Sequence, residues 1–268
     1  LSYEFPRSAY RAQTITVVNR DFVDVDFTVT LEELVNDEDG QPVRAEPGVV
    51  MPYSAVPWGD VRPAQFTLRP GQRRSVVVGF RVPDGETGGR YARIRIEGTT
   101  EAPEPGMEPA VSEITVDAML VVGEGFTSRM NVSEVDWRAV GNPVRVSVGA
   151  TVTNDGDIHG TPGMRMTLLE YVPATEEDLG DFIFVREEQW QPVDSADINT
   201  EDLVLLPGEG RFLFTLFGHV REPDKQYQVL VEALGEGRRR DDYAELFLWT
   251  DSAGRVHDGS SAQLMGVD

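Results

Sequence analysis

Three histidines, 46 acidic residues and no cysteine bound the chemistry open to this chain. His159 stands beside Asp155 and Asp157, and an imidazole with two carboxylates is a donor set that a divalent metal accepts. The same segment reads equally as a tight turn with solvated side chains. Asn36-Asp37-Glu38-Asp39-Gly40 has the oxygen-rich start of a calcium loop, but the twelfth position counted from Asn36 is Pro47, where an EF-hand needs a bidentate Glu. Calcium at a sandwich edge and an ordinary hairpin turn both stay open there. Thr175-Glu176-Glu177-Asp178-Leu179-Gly180-Asp181 is the densest acidic run. It could recruit cations or a basic partner, and as a plain charge run it is a solvated loop, with room for one helical turn. Arg238-Arg239-Arg240, followed by Asp241-Asp242, either grips an acidic neighbour or caps a hairpin.

No Gly-x-Ser-x-Gly elbow, His-Glu-x-x-His helix or phosphate loop occurs. Carboxylate pairs are unavoidable in so acidic a chain, and nothing singles one out for glycoside hydrolysis. The expectation is a protein without catalytic residues, resident metal or cofactor, calcium being the one ion its turns invite.

A net charge of −22 argues against nucleic acid and anionic membranes as partners, since both need a concentrated basic surface. Lys225 is the only lysine. An acid-rich, lysine-poor surface fits a high-salt habitat, and it fits a genome that writes Arg for Lys. The longest apolar runs, such as Ala118-Met119-Leu120-Val121-Val122, are too short to span a bilayer. Without cysteine there is no disulfide, thiolate metal site or Cys nucleophile; such composition is common in exported bacterial proteins. The chain opens on Leu1, which fits trimming by the cell, with loss of an export signal, and equally a sequence cut by hand; an extracytoplasmic location is the expectation.

The elements that would position these residues are short and alternate apolar with polar positions. Leu1, Tyr3 and Phe5; Thr14 to Val18; and Phe22 to Leu31 all have strand spacing. Pro70-Gly71 fits a type II turn. Tyr91, Arg93 and Arg95 share one face of a strand, with Ala92, Ile94 and Ile96 on the other. No stretch has helical periodicity.

The chain also repeats itself. Val18-Asn19-Arg20-Asp21 is answered by Thr153-Asn154-Asp155-Gly156, Arg69-Pro70-Gly71-Gln72 by Leu206-Pro207-Gly208-Glu209, and Tyr91 to Glu97 by Tyr227 to Glu232, at offsets of 135, 137 and 136. A period this long means tandem domains. The fold class is therefore all-β: two tandem Ig-like β-sandwich domains, residues 1–123 and 124–251, hinged at Gly123-Glu124-Gly125, with a flexible tail over 252–268.

Thr14-Ile15-Thr16-Val17-Val18-Asn19, Leu68-Arg69-Pro70-Gly71-Gln72, Val76 to Phe80, Val82-Pro83 and Gly88-Gly89-Arg90-Tyr91 resemble the first domain of bacterial surface proteins of the WxL-interacting type, and equally the N-terminal domain of periplasmic pilus chaperones. Val152-Thr153-Asn154-Asp155-Gly156-Asp157-Ile158-His159 resembles the second Ig-like domain of the WxL-interacting group. The resemblance covers most of residues 12–250 and implies an exported, non-enzymatic protein that binds a cell-wall polymer or another protein. Chaperones grip a pilin carboxylate with an Arg and a Lys; Arg7 or Arg11 falls near the first, and the first domain holds no lysine. The membrane helix and basic tail of WxL-interacting proteins do not occur in this sequence.

The candidate partner-binding residues are the aromatics Tyr53 and Trp58 of the long first-module loop, Trp190 near the acidic run, and the N-terminal Leu1, Tyr3 and Phe5. Trp58 and Trp190 could instead fill cores, and Trp137 could pack at the domain joint. The N-terminal segment is either the first strand of its own sheet or a strand donated to a neighbour, which would give self-association into a filament. A surface or periplasmic binding protein is the leading reading; a filament subunit and a pilus-type chaperone are the alternatives.

Overall fold

The computed structural model describes residues 2–5, 10–37, 42–46, 48–101, 108–141, 145–178, 183–200, 203–218, 220 and 222–259. The chain divides into two units, Leu1–Phe126 and Thr127–Asp268. Each is built of strands, as the alternation requires.

Unit 1 contains β1 (Ser2–Phe5), β2 (Tyr10–Val18), β3 (Val25–Glu32), β4 (Val35–Asn36), β5 (Pro42–Val43), β6 (Gly59–Arg62), β7 (Gln65–Leu68), β8 (Arg73–Arg81), β9 (Gly88–Thr100) and β10 (Val111–Val122). One sheet runs β1-β10-β9-β3-β7 and the facing sheet β2-β8-β6. Their inner faces meet on Val76, Val78, Phe80, Ala92, Ile94 and Leu120, each wholly buried. The two faces of β9 alternate as the sequence implies, and both are buried: Arg93 and Arg95, opposite Ala92, Ile94 and Ile96, are only 1% and 5% exposed. Ion pairing and the β4–β5 hairpin cover that second face.

Unit 2 contains β11 (Met130–Val140), β12 (Arg145–Asn154), β13 (Gly163–Val172), β14 (Thr175–Asp178), β15 (Ile183–Arg186), β16 (Gln189–Asn199), β17 (Gly210–Phe217), β18 (Gln226–Leu234), β19 (Arg240–Thr250) and β20 (Val256–Gly259). Sheets β11-β12-β17 and β16-β13-β18-β19-β20 enclose Val146, Val148, Met164, Met166, Leu168, Tyr227 and Val229.

The repeated Asn and Pro-Gly motifs form the same lock in both units. The Asn19 N–H donates to the Gln72 carbonyl at 2.9 Å, and Gly71 N–H returns to the Asn19 carbonyl at 3.0 Å. Asn154 and Glu209 make the first bond at 2.9 Å, and Gly208 and Asn154 the second at 2.8 Å. Gly71 and Gly208 have φ of +74° and +83°, the left-handed backbone that the turn demands.

Three expectations need correction. Thr175–Asp178 is strand β14, paired with β15, in place of an acidic loop or helical turn; Ile183-Phe184-Val185 supplies a β-prone partner across the hairpin. Leu179 to Asp181 lie outside the described residues. The tail is structured through Gly259, because β20 pairs with β19 and places His257 opposite Trp249. Phe22 and Val23 precede the strand they were read into, since β3 begins at Val25 and Asn19 ties the intervening loop by donating to the Val23 carbonyl at 2.8 Å.

Candidate functional site

The site with the most distinctive geometry is the open side of unit 1. Strand β10 pairs with β9 throughout, but on its other edge β1 covers only Met119 to Val122. From Val111 to Ala118 that edge meets no strand among the described residues. Strand β2 pairs with β8 alone, so its own outer edge is likewise unpaired among them. Between the two edges lies a cleft of about 510 Å³ lined by Ile15, Val17, Phe27, Ile96, Ile114 and Val116.

Sequence explains the cleft. Along β10 the even positions Ala118, Leu120 and Val122 enter the core and are wholly buried. Ile114 has the same parity and is 64% exposed, because no strand roofs the sandwich there. A Cβ at Gly98, on the cleft floor, would come within 3.1 Å of Ser112, Phe27 and Val25 side-chain atoms. Val111, which also lines the cleft, is 60% exposed. The arrangement combines apolar walls with unpaired backbone donors and acceptors, which is what an added strand engages.

The outer face of β9 is a different kind of cluster. Arg93 clasps Asp117 with two bonds, 2.7 and 3.2 Å, and donates to the Val35 carbonyl at 2.7 Å and to Asn36 Oδ1 at 3.0 Å. Arg95 bonds Glu32 at 2.7 Å and pairs with Glu113. All three guanidinium nitrogens of Arg93 are committed to protein, so it fixes the β4–β5 hairpin. Asn36, read as the start of a calcium loop, points its oxygen at Arg93; Glu38, Asp39 and Gly40 lie outside the described residues.

Of the six candidate partner-binding residues, five belong to unit 1 and Trp190 to unit 2. Leu1 lies outside the described residues. Tyr3 and Phe5 belong to β1, whose backbone pairs in parallel with Leu120 and Val122 of the same chain. Tyr53 is 37% exposed, its ring edge-on to Tyr91 at 6.5 Å. Trp58 is no exposed anchor: a short 3-10 turn, Val56–Trp58, lays its ring half-buried on the core, with Arg90 over it at 5.4 Å. Trp190 belongs to unit 2, half-buried beside Tyr171 at 5.4 Å and Phe247 at 6.2 Å. Trp137 packs on unit 2's own core and donates its indole N–H to Asp258. Sequence reading missed Ile114 and Val111. Ile114 and Val116 were visible as an alternating pair, but nothing local says that a strand will lack a cover.

Among the described residues no three His, Asp or Glu side chains converge on a point that could hold a metal ion. Around His159, the Asp155 N–H donates to the Arg129 carbonyl at 2.8 Å, the Asp157 N–H to the Thr127 carbonyl at 2.9 Å, and the Asp155 carboxylate accepts from Asn131 at 2.9 Å. Burial holds the His159 imidazole below its ordinary pKa. Arg238 pairs with Asp197 at 3.1 Å and Arg240 with Glu232 at 3.3 Å, so two members of the basic spot bind neighbouring strands. Among the described residues no helix is long and apolar enough to cross a membrane.

No family model matches the chain, and no curated protein matches it. Solved structures resemble it at low identity. The class 5 fimbriae chaperone CfaA is 10% identical, with 92% of this chain and 95% of that one covered at a TM-score of 0.39. The E. coli chaperone DraB is 12% identical, with 91% of each chain covered at a TM-score of 0.38. The Pseudomonas aeruginosa CupB2 chaperone is 10% identical, with 91% and 95% covered at 0.33. The fold described above rests on this chain's own strand pairing.

Proposed function

We propose that this is a non-enzymatic, extracytoplasmic binding protein whose unit 1 takes up an extended segment of a protein partner along the free edge of β10. The observation that carries the reading is Ile114: a residue of core parity, 64% exposed beside an unpaired strand edge. Strand addition supplies backbone bonds to that edge and puts alternate apolar side chains into the cleft. A chaperone of exported subunits is one protein of this kind, and it is the alternative that the cleft favours over wall-polymer binding. A glycan has no use for a row of backbone donors and acceptors backed by aliphatic walls. The filament alternative is disfavoured because β1 already pairs with its own sheet.

Photo-crosslinking tests this in cells of the source organism. A benzoylphenylalanine at position 114 should yield a protein adduct that maps to one extended apolar segment, and the same probe at Glu124 should not. Adducts carrying only saccharide, or equal labelling from both positions, would reject the proposal.

A further inference from the structure

The internal repeat provides its own control for unit 2. The Asn lock and the strand registers align β8 with β17: Ser75 corresponds to Phe212, Val77 to Phe214, Gly79 to Leu216 and Phe80 to Phe217. In unit 1 the outer edge of β8 is covered by β6, whose Gly59, Asp60, Val61 and Arg62 pair with Phe80, Gly79, Val78 and Val77. In unit 2 no strand covers the matching edge of β17 among the described residues, because β16 pairs with β13 in the opposite sheet.

Two consequences are visible on β17. Its inward residues Leu213 and Thr215 are only half-buried, where Val76 and Val78 of the sister strand are wholly buried. Its outward residues Phe212, Phe214 and Leu216 are 54%, 61% and 42% exposed. The sister strand has Ser75, Val77 and Gly79 there, so folding of this sandwich does not require an aromatic stripe. An exposed apolar edge strand is an aggregation hazard unless it has a use.

We infer that β17 is a second strand-acceptor edge, taking an extended, basic-flanked, apolar segment of a protein partner antiparallel to itself, as β6 lies on β8. The segment is apolar on both faces, since both faces of β17 are under-covered. It is basic at its flanks because the chain carries a net charge of −22, which draws a cationic segment by long-range attraction.

The test uses the full chain and a fluorescein-labelled synthetic peptide in which about five Val, Ile and Phe residues are flanked by lysines. Binding should raise its anisotropy and slow amide exchange in β17. The double variant Phe212→Ser, Phe214→Val carries residues the sister strand already holds, so it folds, and it should weaken binding roughly tenfold or more. A peptide with prolines interrupting the run should not bind. The inference fails if the double variant binds equally well, if the proline peptide binds, or if β17 exchange is unchanged. Protection of β17 that survives Ile114→Glu separates this edge from the unit 1 cleft; loss of it with that variant assigns the peptide to the cleft and overturns the inference.

Discussion

The side chain of Asn154 does in unit 2 what that of Asn19 does in unit 1. Asn19 Nδ2 donates to the carbonyls of Val23 and Leu68 at 2.8 and 2.9 Å; Asn154 Nδ2 donates to those of Ile158 and Leu205 at 2.8 and 2.9 Å. Each Oδ1 accepts a backbone N–H two residues on, from Asp21 at 2.8 Å and Gly156 at 2.9 Å. Both side chains are buried. One amide thus joins a strand end, the loop after it and the approach to the Pro-Gly turn, which explains why the repeat is strongest at these positions.

Replacing either Asn by Ala strands two carbonyls, one of them buried, and one amide N–H at Asn19 or two at Asn154. Asn19→Ala and Asn154→Ala are each expected to cost about 3 kcal/mol. Differential scanning calorimetry on the full chain should show each variant lowering the unfolding of its own unit; a loss below about 1 kcal/mol in either would contradict the lock.

Much of this fold was legible in the sequence. The period-two strands, the Pro-Gly turns and the repeat lie in local residue order, and the two-sandwich architecture follows from them. The site was less legible. Whether Ile114 is roofed or Phe214 is flanked depends on which distant strand joins which sheet, and β6 and β16 choose opposite sheets at matching points of the repeat. Burial of Arg93 was hidden too: its partners Asp117, Val35 and Asn36 are scattered in sequence, and periodicity alone assigns a charged face to water. Trp58 misled because an aromatic in a Pro-rich loop signals neither core nor surface.

Arg93 makes a fixed fork that a lysine cannot copy. Arg93→Lys should cost about 2 kcal/mol and Arg93→Ala about 3 kcal/mol, since each leaves carbonyl acceptors of the β4–β5 hairpin unfilled. Urea unfolding gives the loss, and faster amide exchange in the hairpin locates it. Unchanged exchange there would show that Arg93 does not hold the hairpin.

Gly156 sits where Asp21 sits in the repeat, yet a side chain is not tolerated. A Cβ there would lie 2.4 Å from the Thr127 carbonyl oxygen, 2.6 Å from Arg129 N and 2.7 Å from Ser128 Cα, all of them backbone. Gly156→Ala should cost about 3 kcal/mol. Gly208→Ala, in open space but at φ +83°, should cost about 1 kcal/mol from backbone strain alone. Thermal denaturation that ranks the two in the opposite order would refute the close approach.

Ile114→Thr shortens a side chain that is 64% exposed, so it should change stability by less than about 0.5 kcal/mol. A larger loss in urea unfolding would mean that the cleft is roofed by the chain itself, and strand uptake there would lose its basis.

Tyr227 gives unit 2 a pH dependence at the alkaline end. Its phenol is wholly buried, and burial, reinforced by the negative charges of Glu170 and Glu222, pushes it up to about 12. In the unfolded chain it titrates near the ordinary value of about 10. The folded state therefore holds this proton through a range where the unfolded state has lost it. The associated stability is complete below pH of about 10 and is lost as pH rises through about 12, a change of about 2–3 kcal/mol. Tyr227→Phe abolishes that slope, because phenylalanine has no proton to lose. Thermal unfolding of the full chain between pH of about 9 and 11.5 should show the wild type losing stability more steeply than Tyr227→Phe. Parallel slopes would mean that the phenol reaches water in the folded state and that the core around Val229 and Met166 is open at that point.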